Sequence, residues 1–524
     1  MRSLKTCSFF ASLSLTLCWA QAASAQVKPS ALFSDHMVLQ SGMAVPVWGT
    51  AQPAEKVTVQ FNGQRKSAVA DASGKWMVRL AKLHPGGPFE MRIAGNKPGE
   101  TPIVVNDVLV GEVWLGSGQS NMDFTVGTTP RHYFAGVQNE AEEIAAANYP
   151  NIRIFTGAWK NSYEPQTEIS GTWLIVTPEN VKEMSAIGYL FARDMQKALK
   201  VSFGMIIEAF GASTAEAWTS RDALMANPKL KPLIDNFDAK VAAYKTNPPD
   251  ITAALKAWQE AVAKAQPAGQ RPPRRPSNGD PVGDQHNPTV MYNGMIAPVI
   301  PYAIKGVLWY QGEAINGGST GYKLYPLLQS TLINDWRQRW GEGNFPFYIC
   351  QLAPLKAWPD RPDTWYNNPD VREAQATVVS LPNTGMAVTI DIGDPVNIHP
   401  KDKQDVADRL TRIALANTYG RKIEFAGPMY DSMKVEGNAI RIKFTHVSSG
   451  LVARGGELRT FMIAGKDGNF VPATARIDHD TLLVSSRDVA EPAAVRYAWD
   501  NYPEGCNLYN GDGLPAAPFR TDTW

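Results

Sequence analysis

The stretch VGEVWLGSGQSNM, residues 110–122, joins an apolar run to a turn rich in glycine and serine. The apolar half predicts a β-strand, and Gly116 and Gly118 permit a tight turn from this strand into a helix. Such a turn exposes the hydroxyl of Ser120 and directs backbone N–H groups to one point, as an oxyanion hole requires. The stretch differs from the G-x-S-x-G elbow, because Met122 stands at the position of the last glycine. A turn without a catalytic role is the alternative interpretation of so short a string.

Further apolar runs alternate with helical patterns after this strand, which indicates a mostly parallel sheet covered by helices on both faces. The predicted strands span residues 110–115, 152–155, 203–210, 306–310, 347–352 and 387–392. Two of the predicted helices span residues 184–199 and 403–418. The second of these helices has Val406 and Leu410 on one face. The predicted fold class is therefore α/β.

Shorter strand patterns flank this α/β unit on both sides. A chain of 524 residues is too long for one compact core, so we expect several domains. Residues 26–106 predict a small β-sandwich, residues 107–423 the α/β domain, and residues 424–524 a jelly-roll-like β module. Residues 221–288 predict an insertion of two amphipathic helices and an arm rich in proline and arginine. This insertion is either a surface excursion or a wall of the substrate site.

Residues 1–25 have the three parts of a secretory signal. A basic start precedes an apolar run that is too short to span a membrane, and the string ASA at residues 23–25 predicts the cleavage site. We therefore expect an exported protein, periplasmic or extracellular, without membrane insertion. Two cysteines remain after cleavage, and Cys350 and Cys506 could either pair or stay free.

Charge and residue spacing exclude several classes of protein. The 51 Lys and Arg residues nearly balance the 50 Asp and Glu residues, so no basic field exists to attract nucleic acid. No cluster of His, Cys, Asp and Glu has the spacing of a metal site, and we expect neither a metal nor a cofactor. The partner is therefore expected to be small or uncharged.

Four groups of chemically capable residues each follow a predicted strand of the sheet. In an open α/β sheet these strand ends lie along one edge, where ligands bind. The groups are centred on Ser120, Gly211, Gln311 with Glu313, and His399. Gly211 could bring a backbone N–H to a ligand oxygen, whereas Gln311 could donate its amide N–H or serve only as a turn residue. A hydroxyl nucleophile needs a base, and imidazole suits that task, so Ser120 and His399 are the natural pair.

Long motifs follow one another along the chain in the order of a known family. They are the strings GEVWLGSGQSNMDF, AEAWTS, GVLWYQGE and IHPKDKQDVADRL, with the flanks LFSDHMVLQ, TVMYNGMIAPVIPYAIKG and NLYNGDGLPAAPFRTD. Together they resemble the sialate O-acetylesterase family of SGNH hydrolases. The resemblance implies a flavodoxin-like parallel-sheet core, with Ser120 as nucleophile and His399 as general base. It also implies an oxyanion hole formed by the amides of Ser120 and Gly211 with Gln311. The residues expected to bind substrate are Gln119, Glu216, Trp218 and Glu313.

Among the chain's departures from that family's pattern, two concern the Gly211 loop and the partner of the base. The second glycine of a frequent glycine pair is Ala212 here, which removes no catalytic group. Many SGNH enzymes have Asp three residues before the catalytic histidine, and that position, before His399, is Val396. Asp394 is therefore the expected orienter of the imidazole, with Asp391 and a backbone carbonyl as alternatives.

These residues predict an esterase that removes acetyl groups from sugar hydroxyls by a serine nucleophile. The expected substrate is an acetylated glycan, either hemicellulose such as xylan or xyloglucan oligosaccharides, or O-acetylated sialic acid. Two alternatives stay open. A glycosidase could use Glu216 and Glu313 as paired carboxylates, and a non-catalytic carbohydrate-binding protein would need neither Ser120 nor His399.

Overall fold

The protein has a mixed α/β fold in the computed structural model, which describes residues 27–265, 273, 275–317, 321–356 and 368–524. The strands are β1 (Lys28–Pro29), β2 (Val38–Gln40), β3 (Val45–Thr50), β4 (Lys56–Phe61), β5 (Gln64–Val69), β6 (Lys75–Leu80), β7 (Gly86–Ala94), β8 (Ile103–Gly118), β9 (Tyr149–Thr156), β10 (Trp173–Val176), β11 (Ser202–Ala209), β12 (Gly306–Tyr310), β13 (Phe347–Cys350), β14 (Thr384–Ala387), β15 (Met429–Glu436), β16 (Ala439–Thr445), β17 (Leu451–Ala453), β18 (Phe461–Ala464), β19 (Val471–Pro472), β20 (Thr474–Asp478), β21 (Thr481–Ser485), β22 (Ala494–Tyr497), β23 (Leu508–Asn510) and β24 (Phe519–Arg520). The α-helices are α1 (Ser120–Asp123), α2 (Glu140–Ala145), α3 (Ala186–Leu199), α4 (Arg221–Ala226), α5 (Lys231–Thr246), α6 (Thr252–Ala265), α7 (Gly321–Trp340), α8 (Asn368–Ala376) and α9 (Lys403–Asn417).

The central sheet has the strand order β10-β9-β11-β8-β12-β13-β14. All neighbours from β9 to β14 run parallel, and only the edge strand β10 is antiparallel to its neighbour. Helices α3 and α9 cover one face, and α7 and α8 contribute to the core on the other. The predicted parallel sheet with helices on both faces is therefore present.

Strand β8 connects the first β unit to this central sheet. Its first half pairs antiparallel with β7, and its second half pairs parallel with β11 and β12. The boundary predicted at residue 106 thus lies inside one continuous strand. The consequence is that the turn after β8 is anchored by strands on both sides.

The last strand of the sheet lies earlier in the chain than the sequence predicted. Strand β14 ends at Ala387, whereas the prediction was residues 387–392. The pairing partner β13 ends at Cys350, opposite Ala387, so the following backbone has no strand to pair with. It is held by side chains instead, because Arg409 donates to the Val388 carbonyl and Thr389 Oγ1 to the Gln351 carbonyl.

Side-chain caps fix the starts of the two helices that flank the candidate site. Ser185 Oγ accepts the Gly188 N–H at the start of α3, and the Asp402 carboxylate accepts the Asp405 N–H at the start of α9. Each cap satisfies a backbone donor that has no partner within its helix. Helix α9 begins shortly after the segment that contains His399, so its cap fixes where that segment ends.

The insertion and the C-terminal module follow the predicted order of elements. The insertion contains three helices, α4 to α6, rather than the two predicted. Residues 266–272 and 274 of its predicted arm lie outside the described residues. The predicted signal at residues 1–25 also lies outside them. Beyond residue 424 the chain forms two four-stranded antiparallel sheets and a two-stranded ribbon. The buried guanidinium of Arg372 donates to the carbonyls of Asp500 and Asn501, which ties this module to α8.

Both cysteines of the described chain are free thiols. Cys350 is buried in β13, and the Cys506 thiol donates to the Ile390 carbonyl at 3.5 Å. Within the described residues, no helix combines the length and the apolar character needed to cross a membrane.

Glu208 of β11 is a fully buried carboxyl group in the sheet. Neither of its oxygens has a hydrogen-bond partner among the described residues. Burial raises the pKa of Glu208 well above its usual value, because a charge here would lose its hydration. The side chain therefore stays protonated to a higher pH than an exposed glutamate does.

Glu208→Gln is expected to make the stability of the protein less dependent on pH. Above the usual Glu pKa, the unfolded chain releases this proton while the folded chain retains it. The free energy of unfolding then falls by about 1.4 kcal/mol per pH unit, and glutamine, which cannot ionise, removes this loss. Urea denaturation between about pH 5 and pH 7 measures the slope. The exposed Glu142→Gln serves as control, and equal slopes for Glu208→Gln and the wild type would contradict a neutral Glu208.

Candidate active site

The turn after β8 places Ser120 at the start of the single helical turn α1. Gly118 has φ +133°, and a Cβ at this position would lie 2.2 Å from the Tyr310 carbonyl oxygen, so only glycine lets the turn approach β12 this closely. The Gln119 N–H donates to the same carbonyl at 2.9 Å. The N–H of Ser120 is at the first helical position, where no acceptor exists within the helix.

His399 contacts Ser120 directly. Its Nε2 lies 2.8 Å from Ser120 Oγ, although the two residues are 279 positions apart in the sequence. The imidazole ring stacks on Phe134 with centroids 4.3 Å apart, and the backbone N–H of His399 donates to Asn397 Oδ1 at 2.9 Å. Burial, assisted by the positive charge of Lys403, lowers the pKa of His399 to about 4. The imidazole is therefore neutral at neutral pH and able to accept the serine proton at Nε2.

The predicted acid partner of His399 lies elsewhere. Asp394 Oδ1 accepts the N–H groups of Val396 and Asn397, at 2.8 and 2.9 Å, and so closes its own turn. The alternative, Asp391, forms a bidentate ion pair with Arg409 at 2.7 and 2.8 Å. Among the described hydrogen bonds none joins either carboxylate to His399. The structure therefore does not bring Asp394 or Asp391 to the imidazole as the predicted orienter.

The loop after β11 brings Gly211 beside Ser120. A Cβ built on Gly211 would have the Ser120 Cβ as its nearest neighbour, at 3.7 Å. The next residue, Ala212, adopts φ +57°, a left-handed conformation that favours glycine. Gly211 thus lies beside Ser120, and an oxyanion hole formed by the two backbone amides stays a prediction.

Gln311, by contrast, is fully buried behind this loop. Its Nε2 donates to the Ser213 carbonyl at 3.2 Å, and its Oε1 accepts the Tyr325 hydroxyl at 2.7 Å. The side chain therefore braces the loop that contains Gly211. The structure therefore gives Gln311 a supporting contact in place of the predicted oxyanion-hole position, because both ends of its amide are bound to buried partners.

Two residues predicted to bind substrate are structural. Gln119 Oε1 accepts the N–H groups of Gly312 and Ala314 at 3.2 and 3.3 Å, which fixes the loop after β12. Trp218 is fully buried, and its indole N–H donates to Ser213 Oγ at 2.8 Å. Neither side chain presents a surface to a glycan.

The two predicted carboxylates are also withdrawn from solvent. Glu216 is 1% exposed, and its carbonyl accepts the Thr289 N–H at 3.0 Å. Glu313 Oε1 accepts a hydrogen bond from Asn121 Nδ2, and burial raises the pKa of the Glu313 carboxyl. Glu313 contacts the residue that follows Ser120, and the two residues do not form an open pair of carboxylates.

An exposed aromatic side chain that the sequence analysis missed lies beside the Gly211 loop. The Trp159 ring is 41% exposed and 4.9 Å from the Phe210 ring, which directly precedes Gly211. The guanidinium of Arg131 lies 3.8 Å from the Trp159 centroid. No local pattern around Trp159 distinguished it from a core tryptophan, because its contacts with Phe210 and Arg131 join segments that are distant in the sequence.

Lys403 and Asn121 were also missed. Lys403 is fully buried at the first position of α9, and its Nζ donates to Asn121 Oδ1 at 2.7 Å. The sequence did contain a signal that Lys403 is buried. Lys403 lies three residues before Val406 and seven before Leu410, which is the spacing of the apolar face of the helix. The described residues contain no group of three or more His, Cys, Asp or Glu side chains that could hold a metal ion.

Comparisons with known proteins agree with one another. Residues 281–414 match the sequence profile of the family described as carbohydrate esterase, sialic acid-specific acetylesterase. The sialate O-acetylesterase of Rattus norvegicus is 30% identical over 543 residues, covering 93% of this chain and 92% of that protein. The human sialate O-acetylesterase is 28% identical, covering 93% and 91%. The crystal structure of a carbohydrate acetylesterase from Xanthomonas citri has a TM-score of 0.78 and 34% identity, covering 95% of this chain and 100% of that chain.

The protein is thus a carbohydrate esterase of the acetylesterase class, with a mixed α/β fold. It belongs to the sialate O-acetylesterase family.

Proposed function

We propose that the protein is an exported SGNH-type carbohydrate O-acetylesterase with Ser120 as nucleophile and His399 as general base. The observation that carries this proposal is the 2.8 Å contact between Ser120 Oγ and His399 Nε2, with Gly211 against Ser120. The predicted signal at residues 1–25 supports export. Ser120, Gly211 and His399 are each partly exposed rather than buried, so an ester can reach them.

The proposed mechanism has two steps. Ser120 Oγ forms a bond to the acetyl carbon while His399 Nε2 accepts the serine proton, and the N–H groups of Ser120 and Gly211 stabilise the oxyanion. The bond to the sugar oxygen breaks, and His399 donates its proton to that oxygen. Water then attacks the acetyl group on Ser120 and gives a proton to His399. Acetate leaves, and the proton returns to Ser120 Oγ.

The substrate is an acetylated glycan, and we infer hemicellulose fragments, such as acetylated xylan or xyloglucan oligosaccharides, as the preferred ones. The near balance of 51 basic and 50 acidic residues suits an uncharged chain of sugars. The exposed Trp159 beside the Gly211 loop offers an aromatic surface against which a sugar ring can pack. O-acetylated sialic acid is the competing substrate.

Two earlier alternatives are less favoured. A glycosidase needs two carboxylates that face the substrate, whereas Glu216 is buried and Glu313 is hydrogen-bonded to Asn121. A non-catalytic binding protein would not need a preformed contact between Ser120 and His399.

Acetate release from a panel of substrates tests the proposed function. The panel contains acetylated xylan, acetylated xyloglucan oligosaccharides, O-acetylated sialic acid and 4-nitrophenyl acetate. We expect the highest kcat/KM on one hemicellulose substrate, with Trp159→Ala raising KM for that polymer and not for 4-nitrophenyl acetate. Glycan binding without acetate release would support the binding-protein alternative, and release only from sialic acid would overturn the preference for hemicellulose.

A further inference from the structure

Lys403 forms hydrogen bonds to both sides of the candidate site. Its Nζ donates to Asn121 Oδ1 and to the Pro400 carbonyl, each at 2.7 Å. The ammonium group also lies 4.3 Å from the centre of the Phe124 ring, which gives it a third, cation–π contact. A lysine with no exposed surface keeps such an arrangement only where its donors are satisfied.

Asn121 completes the connection between the nucleophile and the base. It directly follows Ser120, and its Nδ2 donates to the Ile398 carbonyl at 3.1 Å and to Glu313 Oε1. The carbonyls on both sides of His399, those of Ile398 and Pro400, are therefore held by Asn121 and Lys403. This network links the residue after Ser120 to the backbone on both sides of His399.

We propose that Lys403 is a positioning residue, which holds His399 against Ser120 through Asn121 and the Pro400 carbonyl and so replaces the missing carboxylate orienter. This inference rests on the serine mechanism proposed above. A triad acid fixes an imidazole through one hydrogen bond to its ring. Here the backbone on both sides of the imidazole is fixed instead.

The charges around Lys403 support an effect on the base as well. The groups that face Lys403 are Glu313 from the loop after β12, the Cys350 thiol of β13, and Asp402, which precedes α9. Burial lowers the pKa of Lys403 to about 7, although the Glu313 carboxylate opposes this shift. In acid Lys403 is therefore charged, and its charge opposes the protonation of His399. The base stays neutral at a pH at which an ordinary histidine is protonated.

Lys403→Met tests the proposal, because it keeps the length of the side chain and removes the ammonium group. We expect kcat for 4-nitrophenyl acetate to fall about 10- to 100-fold with KM within about threefold, since a small displacement of the base is costly. The acid limb of kcat/KM should also move upward from near pH 4 towards the ordinary histidine value, because the repelling charge is gone. The matched control is Lys401→Met, an exposed lysine two residues away, which should behave as the wild type.

A folded Lys403→Met protein with wild-type kcat and an unmoved acid limb would overturn the proposal. If Lys403→Met does not fold, Asn121→Asp decides, because it keeps the acceptor for Lys403 and removes the N–H donor to the Ile398 carbonyl and to Glu313. A fall in kcat of about tenfold at unchanged KM is expected for Asn121→Asp, and wild-type kcat overturns the proposal. Ser120→Ala is assayed in parallel, since activity in that variant would contradict the serine mechanism itself rather than the role of Lys403.

Discussion

Ser120→Ala is expected to lower kcat/KM for acetyl-ester hydrolysis by about four orders of magnitude or more, about 5.4 kcal/mol of activation free energy. Alanine removes the oxygen that lies 2.8 Å from His399 Nε2 and no other described contact of that side chain. The loss should be confined to kcat, because the amides of Ser120 and Gly211 and the exposed Trp159 remain. Acetate release and the melting temperature are measured together.

A matched control for this prediction lies in the same motif. Ser117 is fully buried in β8, and its Oγ has no hydrogen-bond partner among the described residues. Ser117→Ala makes the same chemical change three residues from the nucleophile, and we expect activity within about threefold of the wild type. If Ser117→Ala and Ser120→Ala lost activity equally, the loss would reflect damage to the turn rather than removal of the nucleophile.

The central sheet could be predicted because its strands combine apolar runs with glycine-rich ends. Strand β12 has the predicted bounds, since Gly306 opens an apolar run and a Gln-Gly pair follows it. Two features depended on pairing that no local pattern reveals. Residues 387–392 alternate as a strand would, yet no partner strand extends beyond Cys350. The change at Asp107 from short strands to strands that alternate with helices predicted a domain boundary, but β8 continues through this residue, which has φ +51°.

The positions of Ser120 and His399 could be predicted because each follows a strand whose end faces the same edge of the sheet. The roles of the neighbouring residues could not be predicted, because a polar residue at a strand end can point either to the cleft or into the core. Gln311 and Trp218 point into the core, where they brace the Gly211 loop through Ser213. Residue type alone does not distinguish these two directions.

The residues around the base show the same limit over a longer range. Asp394 is five residues from His399, yet its turn closes on its own backbone. Lys403 lies four residues beyond His399, and it acts through Asn121, which is 282 positions away in the sequence. The residue type favoured the carboxylate as orienter, whereas the fold places the comparably near lysine in the network around His399.

His399→Ala is expected to lower kcat/KM by about 10³- to 10⁴-fold, because the Ser120 hydroxyl then has no base within hydrogen-bonding distance. The double variant Ser120→Ala with His399→Ala should be hardly less active than Ser120→Ala alone, since the two residues act as one unit. Steady-state acetate release for the two single variants and the double variant measures this coupling. Independent, additive losses would show that His399 acts on something other than Ser120.

Asp394→Asn provides the sharpest contrast with His399→Ala. The amide oxygen of asparagine can still accept the N–H groups of Val396 and Asn397, so the turn should persist. We expect kcat/KM within about threefold of the wild type, whereas loss of a true triad acid lowers kcat about 10⁴-fold in serine proteases. A loss of that size in Asp394→Asn would restore the carboxylate as orienter. Retained activity, together with a large loss in Lys403→Met, would mean that this site orients its base through the backbone on both sides of the imidazole.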